Sequence, residues 1–244
     1  MITRPHGVCS LGLIGLLSAC QSSAEKPLRV FAASSLTDVM AELALVFEVQ
    51  HPEHQVVLST GGSHILRFQI ENGAEAQIFA SASPEDVMTL VDAGHCQSSA
   101  PFAGGTLSIY HGSEAVLNDL SELSHLSRWI VGSPESPIGR YTRQFLDKLD
   151  PSLATHIQDH VVSVEQNVRL IRSKIDLGAA DAGIVYTSDI VNRPDSQQVA
   201  IPADLQPDIR YVMAQCGADP SAADFQRFVT TEGQAILTQQ RFVQ

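Results

Sequence analysis

The stretch "VFAASSLTDVM", Val30 to Met40, decides how the chain is read. Its first residues continue an apolar run, "LRVFAA" (28–33), of the kind that forms a buried strand. The residues after it place Leu36, Val39, Met40, Leu43 and Phe47 at helical spacing. A strand therefore runs straight into a helix through two serines, with no glycine, lysine or arginine between. A serine at such a junction is ordinarily an N-cap. It is also a candidate anion donor, because free N–H groups and the helix dipole favour negative charge at that end.

Outward from this junction the pattern repeats. "QVVLST" (55–60) reads as a strand, followed by "GGS" and a helix carrying Ile65, Leu66 and Ile70. "QIFASA" (77–82) leads into a helix from about Pro84, proline being suited to a first turn. "TLSIY" (106–110) is a strand. In the second half, "RWIVGS" (128–133) is a strand, "PESPIG" a loop, and Tyr141 to Leu149 a helix. "HVVSV" (160–164) leads into a helix with Val168, Ile171 and Ile175, stopped by Gly178. "AGIVYTSDI" (182–190) and "IRYVMAQC" (209–216) are strands, and Phe225 to Leu237 is a final helix. Alternating strands and helices imply an α/β chain with mostly parallel sheets and crossover helices. Ser/Thr/Gly/Pro-rich helix starts fall at Ser34/Ser35, at 61–63, at 137–139 and near 165–168. In open α/β sheets ligands gather at the carboxyl ends of strands. Two such starts in each half of the chain suggest a cleft between two lobes.

The bulk properties narrow the function. The chain has 244 residues, 44% hydrophobic, with a net charge of −12. That balance argues against nucleic acid, whose binding needs basic patches. The N-terminus, "MITRPHGVCSLGLIGLLSAC", has one cation, a short apolar run and small residues, and reads as a secretory signal over 1–20. Its end, "LSAC" (17–20), resembles the lipobox of bacterial lipoproteins, which implies cleavage before Cys20 and a lipid on its sulfur. The alternative is an ordinary signal with Cys20 a bystander. Residues 21–27 then form a polar tether. Loss of residues 1–20 removes Arg4 alone from the charge count, giving 14 − 27 = −13.

Several chemistries lack their motif. There is no G-x-x-x-x-G-K-[ST] loop, no G-x-G-x-x-G after a strand, and no G-x-S-x-G elbow. "HPEH" (51–54) brings two histidines and Glu53 together, but no further metal ligand is placed by the sequence, so a solvated turn is the better reading. No catalytic acid, base or nucleophile set is visible, and no enzyme activity or cofactor is expected.

From Leu28 to about Phe242 the chain resembles periplasmic molybdate-binding proteins, the substrate-binding components of molybdate ABC transporters. The segments that carry the resemblance are "VFAASSLTDVM", "STGGSHILRFQIENGAEAQIFASA", "PIGRY", "EQNVR" and "GIVYTSD". Each is weak alone; five in order over most of the chain are specific. The resemblance implies a two-lobed periplasmic-binding-protein fold, with lobe 1 from 28–107 plus 208–244 and lobe 2 from 108–207. It implies a molybdate or tungstate oxyanion held without charged side chains. Lobe 1 would supply the hydroxyls of Ser35 and Ser63. Lobe 2 would supply the backbone N–H groups of Ile138 and Val168 and the phenol of Tyr186. Ser34 is the near competitor of Ser35. The expected partners are a membrane permease, the small oxyanion and, through the lipid, the membrane; the protein is expected to be an extracytoplasmic monomer. Another oxyanion such as sulfate is the competing ligand. The chain departs from the family pattern at Gln77, Ser83 and Ser133, none of them ligand positions.

Four cysteines complete the reading. Cys9 leaves with the signal and Cys20 is assigned to lipid. Cys96 and Cys216 remain in an oxidising compartment and are expected to form a disulfide near the crossovers. The alternative is two free buried thiols.

Overall fold

The computed structural model describes residues 1, 26–112 and 117–243. The secretory segment, Cys9, Cys20 and the tether up to residue 25 lie outside the described residues. The strands are β1 (Leu28–Ala33), β2 (Val56–Gly61), β3 (Ile78–Ser81), β4 (Gln97–Gly105), β5 (Leu107–His111), β6 (Trp129–Gly132), β7 (Val161–Glu165), β8 (Ala182–Tyr186), β9 (Gln198–Ala200) and β10 (Ile209–Gln215). The helices are α1 (Thr37–Gln50), α2 (Ser63–Glu71), α3 (Pro84–Asp92), α4 (Pro137–Leu146), α5 (Pro151–Asp159), α6 (Val168–Asp176), α7 (Pro220–Thr230) and α8 (Gln234–Gln239).

The strands form two five-stranded sheets, ordered β2-β1-β3-β10-β4 and β7-β6-β8-β5-β9. Each sheet is mixed. β1 pairs in parallel with β2 and β3, and β6 with β7 and β8. β10 and β5 run antiparallel to their neighbours, because each lies next to a crossing between the sheets. The chain crosses once at Thr106, between β4 and β5, and again between β9 and β10. Gln206, on the second crossing, clamps the first: its Oε1 accepts from Leu107 N at 2.8 Å and its Nε2 donates to Leu107 O at 2.9 Å. Two sheets joined by two crossings make a two-lobed molecule.

The apolar stripe of α1 explains why it packs where it does. Val39, Met40, Leu43 and Phe47 are all buried. Phe47 meets Phe225 of α7 edge-on at 5.1 Å, so the first and seventh helices share one core. Burying one such side chain contributes about 1.5–3 kcal/mol, and Phe47→Ala would cost about 3–5 kcal/mol through the cavity it leaves. Cys96, just after α3, and Cys216, just after β10, are joined by a disulfide across a separation of 120 residues. The bond ties the two elements within one lobe and does not span the cleft. On the chain-entropy model a loop of that length contributes about 5 kcal/mol.

The structure corrects several element expectations. β4 carries no apolar alternation; "QSSAPFAGG" is a strand because it is the sheet edge beside β10, where Pro101 is tolerated. α4 starts at Pro137, four residues before Tyr141, because Ser136 caps it. α5 was not anticipated, although Asp150 accepts from Ser152 N and Leu153 N at its start. β8 stops at Tyr186, and 187–190 is a 3-10 turn, since Thr187 N turns to bond Thr106 O. The last helix is two, α7 and α8, with α7 capped by Asp219 ahead of Pro220.

Candidate functional site

Four strand-to-helix junctions converge on one small cavity between the two sheets. The first is the opening stretch. β1 ends at Ala33, Ser34–Leu36 form a 3-10 turn, and the Thr37 hydroxyl donates to Ser34 O at 2.7 Å. The second is β2 to α2, where extended Gly62 precedes Ser63. The third is β6 to α4: Ser136 accepts from Gly139 N at 3.1 Å and donates to Ser133 O at 2.7 Å. A Cβ on Gly139 would sit 1.9 Å from Ser133 O, so only glycine allows this tight start. The fourth is β7 to α6, capped by Asn167, which accepts from Leu170 N at 3.1 Å. In both lobe-2 helices the cap takes the N–H of the third helical residue. The N–H groups of Ile138 and Val168 are left without acceptors in their own helices.

Ser35, Ser63, Ile138, Val168 and Tyr186 all line this cavity, and so does Ser34. The centre of a water-sized body has about 10 Å³ in it. Among the described residues, no Asp, Glu, Lys, Arg or His side chain lines it. Its hydroxyls are set to donate. Ser63 Oγ already accepts from Ala82 N at 3.2 Å, and Ser35 Oγ from Tyr211 at 3.3 Å, so the proton of each is left over. The Tyr186 hydroxyl is buried and has no hydrogen-bond partner. Burial holds its phenol well above the ordinary tyrosine range, so it stays a proton donor at every physiological pH. An unpaired buried hydroxyl costs about 1–3 kcal/mol, which an acceptor in the cavity would recover.

The charges near the cavity face each other across the cleft. Arg140, from α4, reaches the first lobe, where it donates to Ser83 Oγ at 2.8 Å and to Asp86 at 2.9 Å. Arg169, from α6, meets Asp38 of α1 at 2.6 Å. It also lies 3.1 Å from Asp189 Oδ1, an ion pair without hydrogen-bond geometry. His64 and Gln166 bond across the same gap at 3.1 Å. These guanidinium groups are spent on carboxylates, so the cavity's donors are neutral. Larger hollows of about 730 Å³ beside Tyr110 and about 810 Å³ beside Phe102 lie away from the strand ends. The arginines of the first are paired, Arg128 with Asp181 and Arg193 with Asp176.

Sequence reasoning did not single out Ser136, Gln166, Asn167 or Tyr211. Ser136 ahead of Pro137 and Asn167 ahead of Val168 carry an N-cap signal that could have found them. A tyrosine in the middle of a strand carries none. His51 and His54 flank Glu53 at 3.6 and 3.7 Å in a turn, and among the described residues no group of three or more metal-ligating side chains is assembled.

This geometry has counterparts. Molybdate-binding protein ModA of Escherichia coli is 30% identical over 202 residues, covering 78% of this chain and 77% of that protein. The solved periplasmic molybdate-binding protein of Azotobacter vinelandii superposes with a TM-score of 0.77 at 23% identity, covering 89% of this chain and 99% of the other. The sulfate-binding protein SubI of Mycobacterium tuberculosis shares the fold, with a TM-score of 0.75 at 16% identity over 89% of this chain and 86% of the other. Residues 28–243 match the bacterial extracellular solute-binding protein model, and the chain belongs to that family.

Proposed function

We propose that the protein captures molybdate or tungstate outside the cytoplasm and delivers it to the membrane permease of an ABC transporter. One observation carries this reading: a small cavity where hydroxyls of Ser35, Ser63 and Tyr186 and the amides of Ile138 and Val168 meet, with no charged side chain among the described residues that line it. Molybdate and tungstate are fully deprotonated at neutral pH and only accept hydrogen bonds, so a site of donors suits them. Monohydrogen phosphate brings a proton that would go unpaired, at about 1–3 kcal/mol. The processed chain's net charge, 14 − 27 = −13, repels anions at long range. Salt screens that field over about 8–10 Å, so the helix N-termini and neutral donors dominate at the site. Sulfate presents the same acceptor-only surface and is the competing ligand; the smaller size of the sulfate ion is what a selective site has to read. The reading assigns no catalytic step. It holds the protein to the membrane as a monomer through a lipid on Cys20, which labelled palmitate should mark in the parent and not in Cys20→Ala.

Single-donor variants test the site. Ser35→Ala, Ser63→Ala and Tyr186→Phe should each weaken molybdate binding by about 1.5–3 kcal/mol in titration calorimetry, the range for hydrogen bonds to a charged group. Unchanged affinity in all three would place the site elsewhere.

A further inference from the structure

We infer that Tyr211 is a positioning residue for the anion site: it aims the Ser35 proton into the cavity and seats the ring of Tyr186. The inference rests on the oxyanion reading above and goes beyond its donor set. Tyr211 does not line the cavity. Its hydroxyl donates to Ser35 Oγ at 3.3 Å, from a side chain that is fully buried. A serine oxygen that accepts on one side has its own O–H left for another direction, and here the open direction is the cavity. The tyrosine is held by its ring. On β10 it lies opposite Ala103 of β4, just before the register shifts and the pairing with β3 begins at Val212. Its ring packs edge-on against Phe242 at 5.1 Å and tilted against Phe102 at 6.2 Å.

The same ring lies 5.9 Å from that of Tyr186. One residue thus touches a donor from each lobe, Ser35 of the first and Tyr186 of the second. It sits on the strand that returns the chain from the second sheet to the first. Burial also holds the Tyr211 phenol well above the ordinary range, so it keeps its proton.

A double-mutant cycle with sodium molybdate as the probe tests this. Tyr211→Phe keeps the ring and removes the hydroxyl. It should weaken binding about threefold to tenfold, the scale of one hydrogen bond. In the Ser35→Ala background the same change should alter affinity by less than about twofold, because nothing is left to aim. A purely structural role would weaken both backgrounds equally, and that additive result would overturn the inference. So would unchanged affinity in Tyr211→Phe alone. If Ser35→Ala itself binds like the parent, the donor assignment fails first, and the inference with it. Should Tyr211→Phe not fold, Ser35→Gly, which also removes the hydroxyl that Tyr211 would aim, is compared with the parent instead: the two should differ in affinity by about the same threefold to tenfold or more, and equal affinity would overturn the inference.

Discussion

Gly62 and Gln166 meet across the cleft so closely that a Cβ on Gly62 would lie 2.7 Å from the Gln166 carbonyl oxygen. The two residues belong to different lobes, one at the start of α2 and the other just before α6. The contact lies at the seam between the two lobes. Gly62 has φ −63° and ψ 132°, a conformation alanine adopts freely. Within its own lobe a methyl group there meets the flexible ring of His64, Cε1 at 3.0 Å, which can turn aside, whereas the Gln166 carbonyl across the cleft is backbone and cannot. Gly62→Ala should weaken molybdate binding by about 1–3 kcal/mol, the scale of overpacking. The melting temperature of the ligand-free protein should hardly move. Calorimetry alongside thermal denaturation separates the two effects, and parental affinity would mean that closure tolerates the methyl.

The cross-cleft ion pairs should not be equal. Asp86 is 5% exposed and Asp38 is 57% exposed. An exposed pair contributes about 0–1 kcal/mol because water and salt screen it. Removing one cation from a buried carboxylate costs more than that; Asp86 keeps Arg67 at 3.1 Å, which holds the cost to about 1–3 kcal/mol. Arg140→Gln should therefore speed ligand release about tenfold, and Asp38→Asn less than about threefold, in stopped-flow measurements. The reverse order would show that the Asp38–Arg169 pair is the stronger latch.

Asp189 gives the fold a pH signature. Burial pushes its carboxyl up to about 7, against the pull of Arg169 and Arg172. In the unfolded chain it titrates near 3.8. Between those values the folded state holds a proton that the unfolded state has released. Stability contributed through this group therefore falls as pH rises through that window and is level above it. Asp119, Asp150 and Asp181 are shifted downward, so their losses come at lower pH. Asp189→Asn should flatten the melting-temperature profile between about pH 4 and pH 7. A constant offset from the parent across that range would mean that Asp189 stays ionised throughout.

The alternation of strands and helices was legible because each strand is a short apolar run and each helix keeps a periodic stripe. Ser35 and Ser63 stand where a strand meets a helix, a local signal of an N-cap and no more. Their part in a ligand site, like that of Ile138, Val168 and Tyr186, came from the family resemblance. β4 escaped because an edge strand needs no apolar alternation, and α5 because its signal is a cap, Asp150-Pro151, not a stripe. The latches could not be read at all. Arg140 and Asp86 are 54 residues apart and Arg169 and Asp38 are 131 apart, so only the closed fold brings them together. Tyr211 was hidden for the same reason, its partner Ser35 lying 176 residues away.

The most direct measurement is a thermal-shift series with molybdate, tungstate, sulfate and phosphate at matched ionic strength. Molybdate and tungstate should each raise the melting temperature, with about 2.7 kcal/mol of stabilisation at a hundredfold excess over Kd. Sulfate and phosphate should give little or no shift at the same concentrations. Equal stabilisation by sulfate would contradict the selectivity, and no stabilisation by either metal oxyanion would contradict the proposed function itself.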